Sequence, residues 1–562
     1  MLKDLVSRFR KGDDLHPLAT DQGLRDLLSG IPGSDPERRL FDIDHWLGEV
    51  EPAAREVELH RLMKSARLLD ESALPVVGEC LALYFDPKAR EHLSERVWQT
   101  VYAHCERLVA CNLYLLGRAP APADVTPADR RYLLPLALRT MHWHVRAKAL
   151  LRLRYRTPAA GWWRTAHDLL ARAHILGVAA LKAVPYEGGT ESSVWHEYAR
   201  GAYLELAPWS NLAPEQVETL DRVLGGLVAH LVLKAGNPQA GGHSVDLTAT
   251  AGPVRTRPEA MAGDQWRHLN TAPAYAQILQ LASRVRSEKA LPDWLQGAPG
   301  SVQDNEAMLR AVLTAWSRQP PKRRHERRTR HDRLLVVNGF ALARRMVAFS
   351  DFARSGRNLE YGSDLQAALR DRLERRFTTA NVNLEKPPEE VPVEPLDTLR
   401  KLELSGDKAM MEQWALADVS DSGIGAAVPH VRTTHRIGGL VGFRQEDSLD
   451  WRLGLIRRIG RGPDGKQGIG LETLPGPSVC AQVKPASESG KTVWQQIEGS
   501  GLGYLDAMLL APDGDQLVLP AGAFRAELVI LLRVGGEERS VVLTELRDRG
   551  TDFERVLFRP GD

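Results

Sequence analysis

Trp414-Ala415-Leu416-Ala417-Asp418-Val419-Ser420-Asp421-Ser422-Gly423 is the stretch that decides how this 562-residue chain is read. Its short apolar run reads as a strand, and it enters a turn carrying a carboxylate, a hydroxyl and a glycine. Asp and Ser bond nearby backbone amides in such turns, so the stretch marks the end of one strand and the start of the next.

Reading outward, the neighbouring sequence has the same β texture. Leu334-Leu335-Val336-Val337-Asn338-Gly339 is a β-branched run bounded by turn residues, and further strands are predicted at 438–443, 451–459 and 469–474. Gly462-Pro463-Asp464-Gly465 reads as a hairpin turn between the last two. Many short strands joined by such turns point to a barrel. An interruption at 351–407 holds a helical pattern (Leu365, Leu369, Leu373) and a Pro/Glu-rich loop, Lys386-Pro387-Pro388-Glu389-Glu390, and reads as an insertion at the barrel rim. Strands are also predicted at 505–510, 516–519, 526–532, 540–544 and 553–558; they either complete the barrel or form a second small one.

Upstream of the first strand lies Lys322-Arg323-Arg324-His325-Glu326-Arg327-Arg328-Thr329-Arg330, reached through the stiff break Gln319-Pro320-Pro321. This is the best domain boundary in the chain. Before it, from about 15 to 235, apolar residues recur at helical spacing, as in Val97, Val101, Cys105, Leu108 and Val109. Thr126-Pro127-Ala128-Asp129 carries a helix cap followed by proline at the first helical position. The segment 237–257 turns Gly/Pro/Thr-rich and extended, and reads as a lateral insertion or a hairpin. The expected fold class is α+β multidomain: an α-helical domain at 1–318, a basic linker at 319–333, a β-barrel with its helical insertion at 334–485, and a C-terminal β segment at 486–562.

Composition bounds the function. The 74 Lys+Arg against 72 Asp+Glu leave no bulk field that would favour nucleic acid or a membrane, so any anion site must be local. Cys80, Cys105, Cys111 and Cys480 form no CxxC pair, which fits a reducing cytosol. The start of the chain lacks the apolar core of a signal peptide, and no stretch approaches the roughly 20 apolar residues of a membrane helix. The expected location is cytoplasmic.

The basic run and the Asp418 turn together suit a nucleotide. Arginines four apart supply planar donor forks for phosphate and for the O6/N7 edge of guanine. A carboxylate accepts from the guanine N1/N2 donors, and arginine also stacks on a guanine face.

Arg323-x-x-x-Arg327, or the overlapping Arg324-x-x-x-Arg328, followed by Asp418-x-Ser420-x-x-Gly423 in a strand-to-strand turn, resembles the PilZ domain family of bacterial cyclic di-GMP receptors. Trp451-Arg452-Leu453-Gly454-Leu455-Ile456-Arg457-Arg458 and Ile469-Gly470-Leu471 look like strands of that barrel. The resemblance covers about 320–480, and the 90 positions from Arg328 to Asp418 exceed the family's usual spacing. It implies that Arg323 and Arg327 bind phosphate and guanine, that Asp418 accepts from guanine, that Ser420 bonds the ligand, and that Gly423 keeps the turn clear. The expected role is a non-enzymatic cyclic di-GMP effector with no cofactor and no metal, in which the ligand orders the linker and the helical domain contacts a protein partner. Two alternatives stand beside it: an adaptor with a degenerate, non-binding barrel, and a nucleic-acid-binding regulator recognisable by a steep salt dependence.

Other motifs read as structural. His142-Trp143-His144 places its imidazoles on different helix faces, and His196-Glu197 lacks the second histidine of a HExxH site. The segment 499–503 has small residues but no Lys followed by Ser/Thr, and Trp162, Trp163 and Trp195 read as packing anchors.

Overall fold

The computed structural model describes residues 16–86, 91–236, 242–257, 261, 263–317, 326–330, 332–355, 396, 399–400, 410–432, 434–461, 466–486, 494, 504–511 and 514–561. They fall into two compact units, Met1–Lys322 and Arg323–Asp562. The predicted helix around Leu365 to Leu373, the loop at Lys386 to Glu390, the Gly462 to Gly465 turn and the 499–503 loop lie outside the described residues.

The first unit is helical, as its periodicity requires. Its central helix, Pro127–Leu153, begins with a full capping box: the Thr126 side chain accepts from the Asp129 amide, and the Asp129 carboxylate accepts from the Thr126 amide. Val97, Val101, Cys105, Leu108 and Val109 lie on the buried face of the preceding helix, Glu91–Gly117, in one core with Leu136, Leu138 and Leu150. Charges also enter this core, but in partnered groups. Arg146 bonds Glu218 and Asp221, and Arg200 bonds Glu197 and Asp221, which ties helices Pro127–Leu153, Val194–Leu206 and Pro214–Gly226 together.

After helix Pro214–Gly226, the extended stretch is part of a small antiparallel sheet. Strands β1 (Val232–Lys234), β2 (His243–Asp246), β3 (Val254–Arg255) and β4 (Trp266–Asn270) pair in the order β1-β4-β2-β3. The hairpin reading therefore holds for β2 and β3, but these belong to a four-stranded sheet.

The second unit holds two barrels. In the first, β5 (Arg328–Thr329), β6 (Arg333–Asn338), β7 (Met411–Ser420), β8 (Gly423–Ala427), β9 (Leu440–Gln445), β10 (Arg452–Arg461) and β11 (Gln467–Thr473) run in the order β5-β7-β6-β9-β10-β11-β8. An additional β7–β8 pairing joins the two sides into a ring of six strands, with β5 laid along the upper part of β7. The second comprises β12 (Ser478–Pro485), β13 (Leu505–Leu510), β14 (Gln516–Pro520), β15 (Val529–Val534), β16 (Glu537–Arg549) and β17 (Phe553–Pro560), closed as β12-β13-β14-β17-β16-β15. Taken in chain order, the two rings have the same connectivity, strands 1-2-3-6-5-4. The C-terminal strands thus form a second barrel and do not complete the first. The domain division at 485/486 also falls in the wrong place, because β12 pairs with β13 and β15 and so belongs to the second barrel.

The interruption of the first barrel begins directly after β6, with helix Phe340–Ser355. Gly339 adopts φ +87°, and Asp552 of the second barrel caps the helix by accepting from the Phe340 amide at 2.6 Å. Phe340, Met346, Val347 and Phe349 pack with Leu440, Trp451 and Leu453 of the first barrel and with Met508, Leu510 and Phe553 of the second, so the helix and both barrels share a core.

Candidate functional site

The site is built from the outward face of β7, β8, β11 and β10. Alternation sends Ala426, Ile469, Leu471, Ile456 and Ile459 into the barrel, where each is at most 4% exposed. The residues between them face out, and they are small: Gly423, Gly425 and Ala427 on β8, and Gly468 and Gly470 on β11.

Two bulges set the charged edges of this glycine floor. The register between β7 and β8 slips between Leu416 and Asp418, which brings Asp418 opposite Gly425. The register between β10 and β11 slips between Ile456 and Arg458, which brings Arg458 opposite Gly470. Gly470 in turn lies opposite Gly425, so one row crosses four strands: Asp418, Gly425, Gly470, Arg458. Three strand spacings separate its ends by about 14 Å. The resulting cleft of about 980 Å³ is also lined by Arg327, Ser420, Arg457, Lys466 and Glu472.

Close approach holds two of these positions, Gly423 and Gly425, to glycine. A Cβ on Gly425 would lie 2.8 Å and 2.9 Å from the two Asp418 carboxylate oxygens, and one on Gly423 would lie 2.8 Å from the Leu471 carbonyl oxygen. Gly423 therefore serves first to let β8 approach β11. Ser420 Oγ donates to the Gly423 carbonyl at 3.2 Å, a bond that closes the hairpin and leaves its oxygen free to accept.

Arg327 Nη1 donates to Asp418 Oδ2 at 3.0 Å, so the first described arginine of the basic run reaches the turn motif directly. Arg328 pairs in register with Val419, which places it on the sheet face opposite to Asp418. Arg327 therefore lines the cleft and Arg328 does not; Arg323 and Arg324 lie outside the described residues.

Arg457 and Arg458 were read from sequence only as strand residues, and the floor glycines Gly425, Gly468 and Gly470 were not singled out. The signal was present as glycine at alternating positions of two strands. Arg457 donates from Nε to Glu472 at 2.7 Å and from Nη2 to Asp548 of the second barrel at 2.6 Å. Burial disfavours its charge, but the bonds to Asp548 and Glu472 outweigh that and raise its pKa.

The remaining motifs occupy structural positions. His144 stacks on Trp162 with ring centroids 4.3 Å apart and donates from Nε2 to the Trp162 carbonyl at 3.0 Å, while His142 bonds Glu197 at 3.2 Å. Burial lowers the His144 pKa to about 4, which leaves it neutral. Trp162 and Trp163 are buried, and Trp195 is half-buried. Among the described residues, no group of three or more His, Cys, Asp or Glu is arranged to hold a metal, and no helix is long and apolar enough to cross a membrane.

Residues 22–239 match a family model described as the N-terminal domain of the cyclic-di-GMP receptor FimW. The match lies within the helical unit and does not reach the cleft, whereas the PilZ resemblance was carried by 320–480. No curated protein matches the chain.

Proposed function

We propose that the chain is a bacterial cyclic di-GMP receptor whose first barrel is a PilZ-like domain, and that the ligand lies across the glycine floor between Asp418 and Arg458. The carrying observation is the 3.0 Å contact that unites Arg327 of the basic run with Asp418 of the turn motif at the edge of that floor. The match of residues 22–239 to the N-terminal domain of a cyclic-di-GMP receptor supports the same reading from an independent part of the chain.

In this reading Arg327, with Arg323 one helical turn's spacing before it, supplies guanidinium forks to phosphate and the guanine O6/N7 edge. Asp418 accepts from guanine N1 and N2, and Ser420 accepts or donates at the near edge. The floor gives a base a side-chain-free surface to lie on, and Arg458 offers a second cation at the far edge. The protein converts binding into a changed contact and performs no chemistry on the ligand. Ordering of the 319–333 linker on binding would pass the signal to the helical unit, which would bind a protein partner in the cytoplasm.

Calorimetric titration with cyclic di-GMP tests this, beside Arg323→Ala/Arg327→Ala and a GTP control. Selective binding that the double variant loses is expected. Binding that survives in the variant, or no heat with the intact protein, would overturn the assignment, and the latter would make a protein-binding adaptor the leading account.

A further inference from the structure

Arg457 stands between the cleft and the second barrel. It is the extra residue of the β10 bulge, lines the cleft, and holds Asp548 on β16. Its Nε and Nη2 are both engaged, by Glu472 and Asp548 respectively. Either bidentate face of a guanidinium, Nε with Nη2 or Nη1 with Nη2, uses Nη2. A phosphate that draws the Arg457 guanidinium into the cleft therefore competes with Asp548 and Glu472 for it.

The surroundings make that exchange inexpensive. Asp548 is 14% exposed, and a carboxylate so buried cannot be left without a partner. It has a second one: Arg555 on β17 donates from Nε to the other carboxylate oxygen at 2.6 Å, in register with it. Glu472, 38% exposed, can turn to water when Arg457 leaves. The second barrel shares the connectivity of the first, but its corresponding hairpin, between β13 and β14, has no DxSxxG. It has the fold of the receptor barrel without the ligand motif, and its Asp548 reaches the cleft through a single arginine.

We propose that Asp548 of the second barrel sets the ligand affinity of the first by competing for Arg457, so that an anionic ligand in the cleft loosens the ion pair between the barrels. The proposal rests on the cleft binding cyclic di-GMP. Linkage makes the coupling reciprocal: whatever weakens the pair tightens the ligand, and the ligand weakens the pair.

Calorimetric titration of cyclic di-GMP into the full chain, Asp548→Asn, Arg457→Met and the double variant is the test. Asp548→Asn should tighten binding about fivefold, and in the Arg457→Met background it should change nothing. Unchanged or weaker binding by Asp548→Asn would mean that Asp548 merely holds Arg457 in place. Equal tightening in both backgrounds would reduce the effect to loss of a distant negative charge; either result overturns the proposal. Hydrogen exchange of the unmodified protein needs no variant: ligand should speed exchange across 545–549, and no change or slowing there sinks the idea. No binding by the intact protein would remove the receptor reading itself, whereas binding without the Asp548 effect removes only this inference.

Discussion

Arg327 Nη1 donates to Asp418 at 3.0 Å, bridging 91 positions of chain. The side chains are 41% and 28% exposed, so water screens the pair and it contributes at most about 1 kcal/mol to the fold. Such a contact is easily exchanged for a ligand. Asp418→Asn should therefore leave the melting temperature within about 2 °C, while lowering cyclic di-GMP affinity at least about tenfold by removing a charged acceptor. Thermal melting and calorimetry on one preparation separate the two effects.

The floor can be filled without touching a charged group. A Cβ on Gly468 would meet only the Ala426 carbonyl oxygen at 3.6 Å and that of Gly460 at 3.9 Å, both ordinary contacts. Gly468→Phe should thus fold normally and lose at least about tenfold in ligand affinity by occupying the surface a base would cover. Gly425→Ala acts differently: its Cβ collides with the Asp418 carboxylate, and its binding defect should match that of Asp418→Asn. A Gly468→Phe protein that binds with unchanged affinity places the ligand elsewhere.

Local signals carried most of the architecture. The capping box at Thr126, the helical spacing from Val97 to Val109 and the strand runs around Leu334 and Trp414 each encode their element within a few residues. What could not be read locally depends on ring closure. β12 is not among the strands predicted from sequence, and only its pairing with β13 and β15 assigns it to the second barrel. Arg458 faces the cleft because a bulge in β10 shifts the register, and a single-residue slip of this kind exchanges the two faces of a strand. The helix cap supplied to Phe340 by Asp552 spans 212 positions, a distance at which sequence offers no pattern.

Asp351 gives the second unit a pH dependence of known sign. Burial raises its pKa to about 6, against a bond from the Cys480 amide and the nearby charge of Arg354, which favour the charged form. The folded state therefore binds the proton more tightly than the unfolded chain does. Stability from this group is full below the unfolded value near 4 and is lost as pH rises through about 6, by roughly 3 kcal/mol. Asp351→Asn, which can still accept from the Cys480 amide, should raise the melting temperature at pH 7.5 and have little effect at pH 4. Equal effects at both values would show that the carboxyl does not titrate in that window.

The buried charges of the helical unit make the opposite case, in which removing one partner is severe. Arg200 is 2% exposed and donates to Glu197, to Asp221 and to the His142 carbonyl. Burial alone would push the Glu197 pKa up, but Arg200 and His142 overturn that and hold it well below the usual carboxylate range. In Arg200→Met, Asp221 keeps Arg146, whereas Glu197 keeps only His142 and the Ser192 hydroxyl. Glu197 must then stay charged with too little compensation or take up a proton, and either route costs about 3 kcal/mol. Adding Glu197→Gln to Arg200→Met should restore part of that loss, because the amide removes the charge while keeping an acceptor for Ser192. Denaturant melts of the wild type, the single variant and the double variant decide it, and a double variant no more stable than Arg200→Met would show that packing around the guanidinium, and not the stranded carboxylate, sets the cost.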